Sequence, residues 1–275
     1  MEFGFIGFGS MAKMLINGLI EYSKVAPHDI CVTRHDKNRL NEIADAFNGV
    51  TAFEICSDVA KHSRVVFLCV KPAEIKEVLL EIAPYIASST HIISLAGTVS
   101  IDNLQTIAHG KISKLIPTIT SEIGKGIALL CHNEHVTEED ASYIKSKLCP
   151  FGEIKLVKDE DIGFAAELTS CAPGFIASIF SHFSSMALKH TTSFTGEEIA
   201  QMVTHTLYAT STLLHNTEIT FEQLISSVAT KGGITQEGVS IFDTSLPSVF
   251  DNVFETTLKK RKLTETQISK DFQNI

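Results

Sequence analysis

Closely spaced cysteine pairs are missing from this sequence. Its six cysteines lie far apart, and none forms a CxxC pair or a Cys/His group at the spacing of metal ligands. The pattern therefore gives no sign of a disulfide framework or of a zinc site. We predict a protein that holds no metal and that keeps its thiols buried and reduced, as in the cytoplasm.

Long basic runs and the pattern of an N-terminal signal peptide are also missing. The 23 Lys and Arg residues are outnumbered by 32 Asp and Glu residues, the net charge is −9, and the one basic tetrad is residues 259–262. Such a balance does not favour a nucleic-acid partner. The chain does not open with a basic segment followed by an unbroken apolar one, and no apolar run reaches membrane-spanning length. We therefore expect a cytoplasmic protein without a membrane partner.

The first motif that is present combines a strand, a glycine turn and a helix between Phe3 and Met14. In the order Gly-x-Gly-x-x-Ala, the first glycine permits a tight turn, the second lets backbone N–H groups approach a pyrophosphate, and alanine lets the helix pack closely. This predicts a dinucleotide site, whereas an ordinary tight turn is the alternative. The predicted contacts of this loop are Gly7, Phe8, Gly9, Ser10, Met11 and Ala12.

Two later apolar runs are also typical of strands that end at a ligand crevice. Val65–Val70 is continuously apolar, as in a parallel strand buried on both faces, and His91–Gly97 ends in small residues that would let a nicotinamide ring approach. The carboxyl ends of parallel strands line the ligand crevice of such a sheet. The further predicted cofactor contacts are Val70, Lys71, Pro72, Ala96 and Gly97.

The end of the second predicted strand, Ile30–Thr33, bears on the choice of cofactor. Folds that prefer NAD usually place Asp or Glu there to accept from the ribose 2′-hydroxyl, whereas this chain has Arg34. An arginine suits a 2′-phosphate, so we predict NADP(H) as the preferred cofactor and NAD(H) as the second choice. The alternative is that Arg34 and Arg39 are ordinary surface charges.

The order of the patterns predicts two domains. Strand and helix patterns alternate over residues 1–160, which predicts an α/β fold with an N-terminal Rossmann-like, doubly wound sheet of eight strands. Residues 161–275 carry helical patterns only, including separate helices at Thr235–Thr244 and Pro247–Leu263. This all-helical domain is dense in apolar residues, which predicts dimerisation and a homodimer or an assembly of dimers.

Several motifs together resemble one known family. The N-terminal GFGSMA, Leu68–Pro72, Ser170–Pro173 and the stretch Ser226–Gly238 with its Gly-Gly-x-Thr loop are similar to the signatures of pyrroline-5-carboxylate reductases. The resemblance covers essentially the whole chain. Departures from the family pattern, such as Thr118 and Cys56 in place of asparagines, resemble its divergent branch of late-competence proteins from spore-forming bacteria.

The resemblance implies an NADP-dependent reductase that transfers hydride to pyrroline-5-carboxylate, or to a similar cyclic imino acid. It implies that Thr235 is the catalytic residue, which hydrogen-bonds the imino acid, and that Gly232, Gly233 and Ile234 hold the substrate carboxylate through the backbone. It also implies an intertwined dimer of the helical domains.

Two other functions stay open at this point. A nucleotide-binding regulatory protein with little turnover is favoured by Thr118 and Cys56. A reductase of the β-hydroxyacid-dehydrogenase type is disfavoured, because the lysine expected on the first long helix of the second domain is absent from Pro173–Leu188.

Overall fold

The computed structural model describes residues 1–34, 36 and 40–273. Its contacts divide the chain into two compact units. The first contains Met1–Pro173 together with the chain from Thr257 onwards, and the second is Gly174–Thr256. The domain boundary at residues 160/161 stays a prediction.

A single sheet of eight strands forms the frame of the first unit. Its strands are β1 Phe3–Ile6, β2 Ile30–Thr33, β3 Thr51–Phe53, β4 Val65–Leu68, β5 His91–Ser94, β6 Lys111–Ile116, β7 Gly126–His132 and β8 Gly152–Leu156. They lie in the order β3-β2-β1-β4-β5-β6-β7-β8. All neighbours are parallel except β6 and β7, which run antiparallel. This order confirms the predicted α/β fold with a doubly wound sheet.

The central strands are apolar because helices cover them. Every residue of β1, β2, β4 and β5 is buried, whereas the edge strands β3 and β8 are largely half-buried or exposed. Phe5 stacks on Phe67 with 4.7 Å between ring centroids, and Phe3 lies 6.2 Å from the same ring. Full burial of a Phe side chain of this kind stabilises the fold by about 1.5–3 kcal/mol.

The helices of the first unit follow the strands in turn. They are α1 Ser10–Glu21, α2 Asn41–Ala46, α3 Cys56–His62, α4 Ile75–Ile82, α5 Ile101–Gln105, α6 Glu138–Leu148 and α7 Ile162–Ala166. Helix α1 packs on the sheet through Ala12, Met14, Leu15, Ile16 and Leu19, which are all buried. The predicted helical spacing of this segment is thereby confirmed.

Over its described range, Gly174–Thr256, the second unit contains helices and no strand. They are α8 Ala172–Ala187, α9 Gly196–Thr217, α10 Phe221–Val228 and the first half of α11 Ile234–Gln273. A capping box begins α9, since the Thr195 hydroxyl accepts from the Glu198 N–H at 3.2 Å and the Glu198 carboxylate accepts from the Thr195 N–H at 2.8 Å. Every residue of this unit is described, and Ile199 is the only buried one.

The last helix is longer than the pattern predicted. Two separate helices were expected, Thr235–Thr244 and Pro247–Leu263. Instead, α11 continues through Pro247 as one helix of 40 residues. A proline inside a helix removes one backbone hydrogen bond, and the rest of a long helix outweighs that loss. The predicted break is wrong.

A second continuous stretch joins α7 to α8 through a π-helical segment, Glu167–Cys171. The whole stretch Ile162–His190 is long and apolar enough to cross a membrane, by length and composition only, which is weak evidence for a span. The prediction that no run reaches this length is therefore wrong for this helix.

The cysteines are free thiols, but the prediction that all are buried is also wrong. Cys31 and Cys131 are buried, Cys149 is exposed, and the other three are half-buried.

Candidate active site

The turn after β1 can be formed only by glycine. Gly7 has φ +103°, and a Cβ at this position would lie 2.6 Å from the Cys69 carbonyl oxygen. Its N–H donates to the Thr33 carbonyl at 2.9 Å. The turn is therefore fixed against the ends of the two neighbouring strands, β2 and β4, as the motif predicted.

The N-terminus of α1 is built to face an anion. Gly9 is its N-cap residue, and within the described loop and first turn no side chain caps the helix and no residue is acidic. The N–H groups of the first turn have no intrahelical acceptor, and a Cβ on Gly9 would meet no atom within 4 Å. A pyrophosphate therefore fits here, held by backbone N–H groups and the helix dipole. Phe8 and Ala12 are buried, so their part in such a site would be limited to the backbone.

One cleft brings together the predicted cofactor residues from three strand ends. It has a volume of about 450 Å³ and lies where the strand order reverses between β1 and β4, the place where doubly wound sheets bind ligands. Gly7, Arg34 and Val70 line it, with Thr33 and Cys56 beside them. Lys71 and Pro72 lie in the connection from β4 to α4.

Arg34, which lines this cleft, is already paired with an acidic side chain of α2. Its Nη1 lies 2.6 Å from the Glu42 Oε2, with 14% of the Arg34 side chain exposed and 37% of that of Glu42. Glu42 lies in the first turn of α2, and the sequence reasoning did not identify it. Arg39 lies outside the described residues.

The two departures from the family pattern occupy different surroundings. Cys56 lines the cleft, and burial, with the Glu81 charge and a hydrogen bond to it, raises the pKa of the Cys56 thiol to about 11. At neutral pH this group is therefore an uncharged thiol. Thr118 is buried, and its hydroxyl lies 3.4 Å from that of Thr120.

Gly97 is held by a lysine that the sequence reasoning overlooked. The Lys114 side chain is 2% exposed, and its Nζ donates to the Gly97 carbonyl at 3.2 Å and to Asp159 Oδ1 at 2.7 Å. Asp159 Oδ2 accepts from the Ile101 N–H at 2.9 Å and so caps α5. These residues border a second cleft of about 530 Å³. The available signal was a lysine inside an apolar strand, which needs a partner once it is buried.

A second ion pair lies near the same glycine. Arg261 donates from Nε and Nη2 to Glu167 Oε1 at 3.2 and 2.9 Å, and its Nη1 would lie 3.6 Å from a Cβ on Gly97. Glu167 belongs to the π-helical segment, a local geometry that is frequent at functional sites. Ala96, by contrast, is buried, and its N–H donates to the Ser94 hydroxyl at 3.2 Å.

The predicted substrate loop lies in the second unit and begins α11. Gly232 has φ +75°, a backbone conformation that favours glycine. Its N–H donates to Gln236 Oε1 at 2.7 Å, and the Gly233 N–H donates to the Thr230 carbonyl at 2.9 Å. Of the three residues expected to hold a carboxylate through the backbone, Gly232 and Gly233 thus already have acceptors for their N–H groups.

The next two residues are better placed for an anion. Ile234 and Thr235 stand in the first turn of α11, where backbone N–H groups lack intrahelical acceptors. Ile234 is 94% exposed and Thr235 is exposed as well. The substrate role of the loop stays a prediction. Within the loop, the N–H groups of Ile234 and Thr235 are more available to an anion than those of Gly232 and Gly233.

Comparison with known proteins assigns the chain to a family. The family model for pyrroline-5-carboxylate reductase dimerisation matches residues 159–263, and the NADP oxidoreductase coenzyme F420-dependent model matches residues 2–97. Pyrroline-5-carboxylate reductase 3 of Bacillus subtilis (strain 168) is 34% identical over 270 residues, which cover 98% of each chain. The chain belongs to the pyrroline-5-carboxylate reductase family.

Other relatives agree with this assignment to the reductase family. ComE operon protein 4 of Bacillus subtilis (strain 168) is 24% identical over 272 residues, 99% of each chain, which confirms the resemblance to the late-competence branch. The structure of Plasmodium falciparum pyrroline carboxylate reductase with NADP bound has a TM-score of 0.85 at 22% identity and covers 96% of this chain and 98% of that chain. The reductase-family fold is thereby confirmed.

Membership of the pyrroline-5-carboxylate reductase family sets the class of chemistry. The protein is an oxidoreductase that acts on CH–NH bonds and depends on a nicotinamide cofactor, as predicted. The matched dimerisation domain indicates a homo-oligomer.

Proposed function

We propose that this protein reduces pyrroline-5-carboxylate, or a similar cyclic imino acid, with NADPH. The observation that carries the proposal is the cleft at the β1/β4 switch point, where Gly7, Arg34 and Val70 meet beside the open N-terminus of α1. The helix terminus is suited to the pyrophosphate and Arg34 to a 2′-phosphate. The proposal of NADP(H) over NAD(H) rests on Arg34.

The bound nicotinamide would supply a hydride to the imine carbon of the protonated substrate. The substrate nitrogen would keep its proton, and the product is a cyclic amine. An imine of this kind is readily protonated in solution, so the residues of the chain need mainly to bind and orient it. Thr235 would hydrogen-bond the imino acid. The N–H groups of Ile234 and Thr235 would receive its carboxylate, joined by that of Gly232 if the Gln236 side chain turns away.

We further propose a homodimer, or an assembly of dimers, built on the helices of the second unit. Unit 2 has a single buried residue, while large apolar side chains are exposed along its helices. Among them are Phe183, Met186, Met202, Tyr208 and Phe242. Soluble proteins rarely expose apolar surface of this extent unless a partner covers it. Free thiols throughout the described chain agree with a cytoplasmic location.

The test of the reductase is oxidation of NADPH in the presence of pyrroline-5-carboxylate, followed at 340 nm between about pH 5 and 9, a window that spans the usual catalytic titrations. The expected result is turnover that depends on the imino acid. Protein that binds NADPH and oxidises none of it across this window contradicts the reductase and leaves the cofactor site standing.

A regulatory protein with little turnover is the second candidate. It is favoured by the hydrogen bonds that already engage the Gly232 and Gly233 N–H groups, and by the similarity to ComE operon protein 4. The same assay separates the two functions, because the regulator would bind the dinucleotide without consuming it.

A further inference from the structure

Arg34, the residue predicted to bind the 2′-phosphate, is already paired with a carboxylate of the same chain. The Arg34 Nη1 and the Glu42 Oε2 are 2.6 Å apart, a short, charge-assisted hydrogen bond. The arginine side chain is largely buried in the wall of the cleft, so this pair is screened by water less than a surface pair. A phosphate that binds Arg34 in the same direction must displace the carboxylate or share the guanidinium with it.

The other charged residues of this cleft increase the free-energy cost of binding a doubly negative group. Glu74, Glu77 and Glu81 line it, and Arg34 is the one cation among the described residues of its wall. A phosphate monoester carries a charge of about −2 at neutral pH and is repelled by such a wall, whereas the ribose hydroxyl of NADH carries none. The arginine alone favours NADPH, while its acidic surroundings oppose it.

We infer that Glu42 lowers the preference of this protein for NADPH over NADH, by competing with the 2′-phosphate for Arg34. This inference rests on the proposed cofactor function. It assigns to Glu42 a role in specificity, and it predicts that the wild-type protein discriminates between the two cofactors less than Arg34 alone would allow.

The experiment measures dissociation constants for NADPH and NADH by the change in cofactor fluorescence, at one fixed salt concentration. Glu42→Gln keeps the shape of the side chain and removes its charge. It should bind NADPH about three to ten times more tightly than the wild type, while its affinity for NADH changes less than about twofold. Arg34→Ala should weaken NADPH binding about ten- to a hundredfold and leave NADH nearly unchanged.

Two controls separate direct competition from a general change in charge. Asp45→Asn removes the same charge one turn further along α2, where the side chain is exposed, and should change neither constant more than about twofold. In the Arg34→Ala background, Glu42→Gln should no longer tighten NADPH, because the competition needs the arginine. Melting temperatures confirm that each variant is folded.

The possible outcomes are distinct. An unchanged ratio of the two dissociation constants in Glu42→Gln overturns the inference and leaves the proposed function standing, as does an equal effect of Asp45→Asn. Absence of turnover with the expected binding shifts overturns the reductase and leaves the role of Glu42 standing. A wild type that binds neither cofactor overturns both.

Discussion

The two units differ in how far each can bury its own apolar residues. The central strands of the first are fully buried, and aromatic rings stack within its core. The second contains long amphipathic helices and one buried residue, Ile199. A unit that cannot cover its own apolar faces is stable only when something else covers them. The first unit is therefore stabilised from within, whereas the second would be stabilised by association in the proposed dimer.

The same contrast extends to the candidate site. In the first unit, three strand ends and a helix N-terminus give a cleft whose turn at Gly7 admits no residue but glycine. In the second, the Gly232–Thr235 loop is exposed, and its glycine N–H groups are bonded internally. A preformed cofactor cleft and a substrate loop that needs a rearrangement or a partner are the two halves of the proposed enzyme.

The largest effect is expected in the core of the first unit. Phe67→Ala removes a ring that is 1% exposed and stacked on Phe5, and it should lower the free energy of unfolding by about 3–5 kcal/mol. Urea unfolding at two protein concentrations should give the same loss, because this core is internal to one chain. A loss under about 1 kcal/mol would show that the ring is not closely packed.

A charge on the apolar face of the second unit should have the next largest effect. Phe183 is 52% exposed in the single chain, so Phe183→Asp should be harmless if the face is open and should weaken dimerisation by about 2–4 kcal/mol if a second copy covers it. Sedimentation over a range of concentrations measures this. Thr192→Asp adds the same charge at an exposed position outside α8 and serves as the control. A wild type that is monomeric at micromolar concentration contradicts the dimer itself.

Acid should destabilise the first unit through three hydrogen-bonded side chains on β5, β6 and β7. These are His91, Ser113 and His132, and we call them the relay. The Ser113 hydroxyl lies 2.6 Å from His91 Nε2 and 2.6 Å from His132 Nδ1. Burial, and then the neighbouring His132, lower the pKa of His91 from 6.5 to about 4, and burial lowers that of His132. The folded state thus binds fewer protons than the unfolded state in this range. Stability is fully present above pH 6.5 and is lost as the pH falls towards 4.

The expected loss from this relay is about 2–3 kcal/mol over that window. It is measured as the free energy of unfolding in urea from pH 7.5 to 4. His91→Phe removes one of the two titrating histidines, so its curve should be flatter than that of the wild type by a part of this amount. Parallel curves for the two proteins would rule the relay out as the cause.

The smallest effect is expected in the substrate loop. Thr235→Ala removes one hydroxyl and should lower kcat/KM for pyrroline-5-carboxylate by about 1–2 kcal/mol, while NADPH affinity and melting temperature stay nearly unchanged. A loss of NADPH binding in this variant would mean that the cofactor and substrate roles are not divided between the units as proposed.

Gly233→Val sharpens the same test. A Cβ here would lie 2.8 Å from the Thr230 hydroxyl and 3.0 Å from its carbonyl oxygen, so the loop must shift. Activity should fall further than in Thr235→Ala, again with NADPH binding retained. Equal activity of the two variants would indicate that the loop backbone does not contact the substrate.

By itself the sequence determined the fold class and most of its elements. The alternation of apolar runs and helical spacing is a local property, because period 2 or 3.6 follows from backbone geometry alone. Eight strands were expected, but Thr51–Phe53 was not located among them, because an edge strand of three partly exposed residues has almost no apolar signal. The glycine turn at Gly7 was also readable, since its conformation restricts the residue type.

Only the tertiary structure decided which side chains meet. The pairs Arg34–Glu42, Lys114–Asp159 and Arg261–Glu167 join residues on different elements, and no local pattern links them. The same holds for the Gly232 N–H, which the loop motif left free and the Gln236 side chain engages. Propensity and periodicity act along the chain, whereas the pairing of charges depends on distances that exist only after the chain has folded.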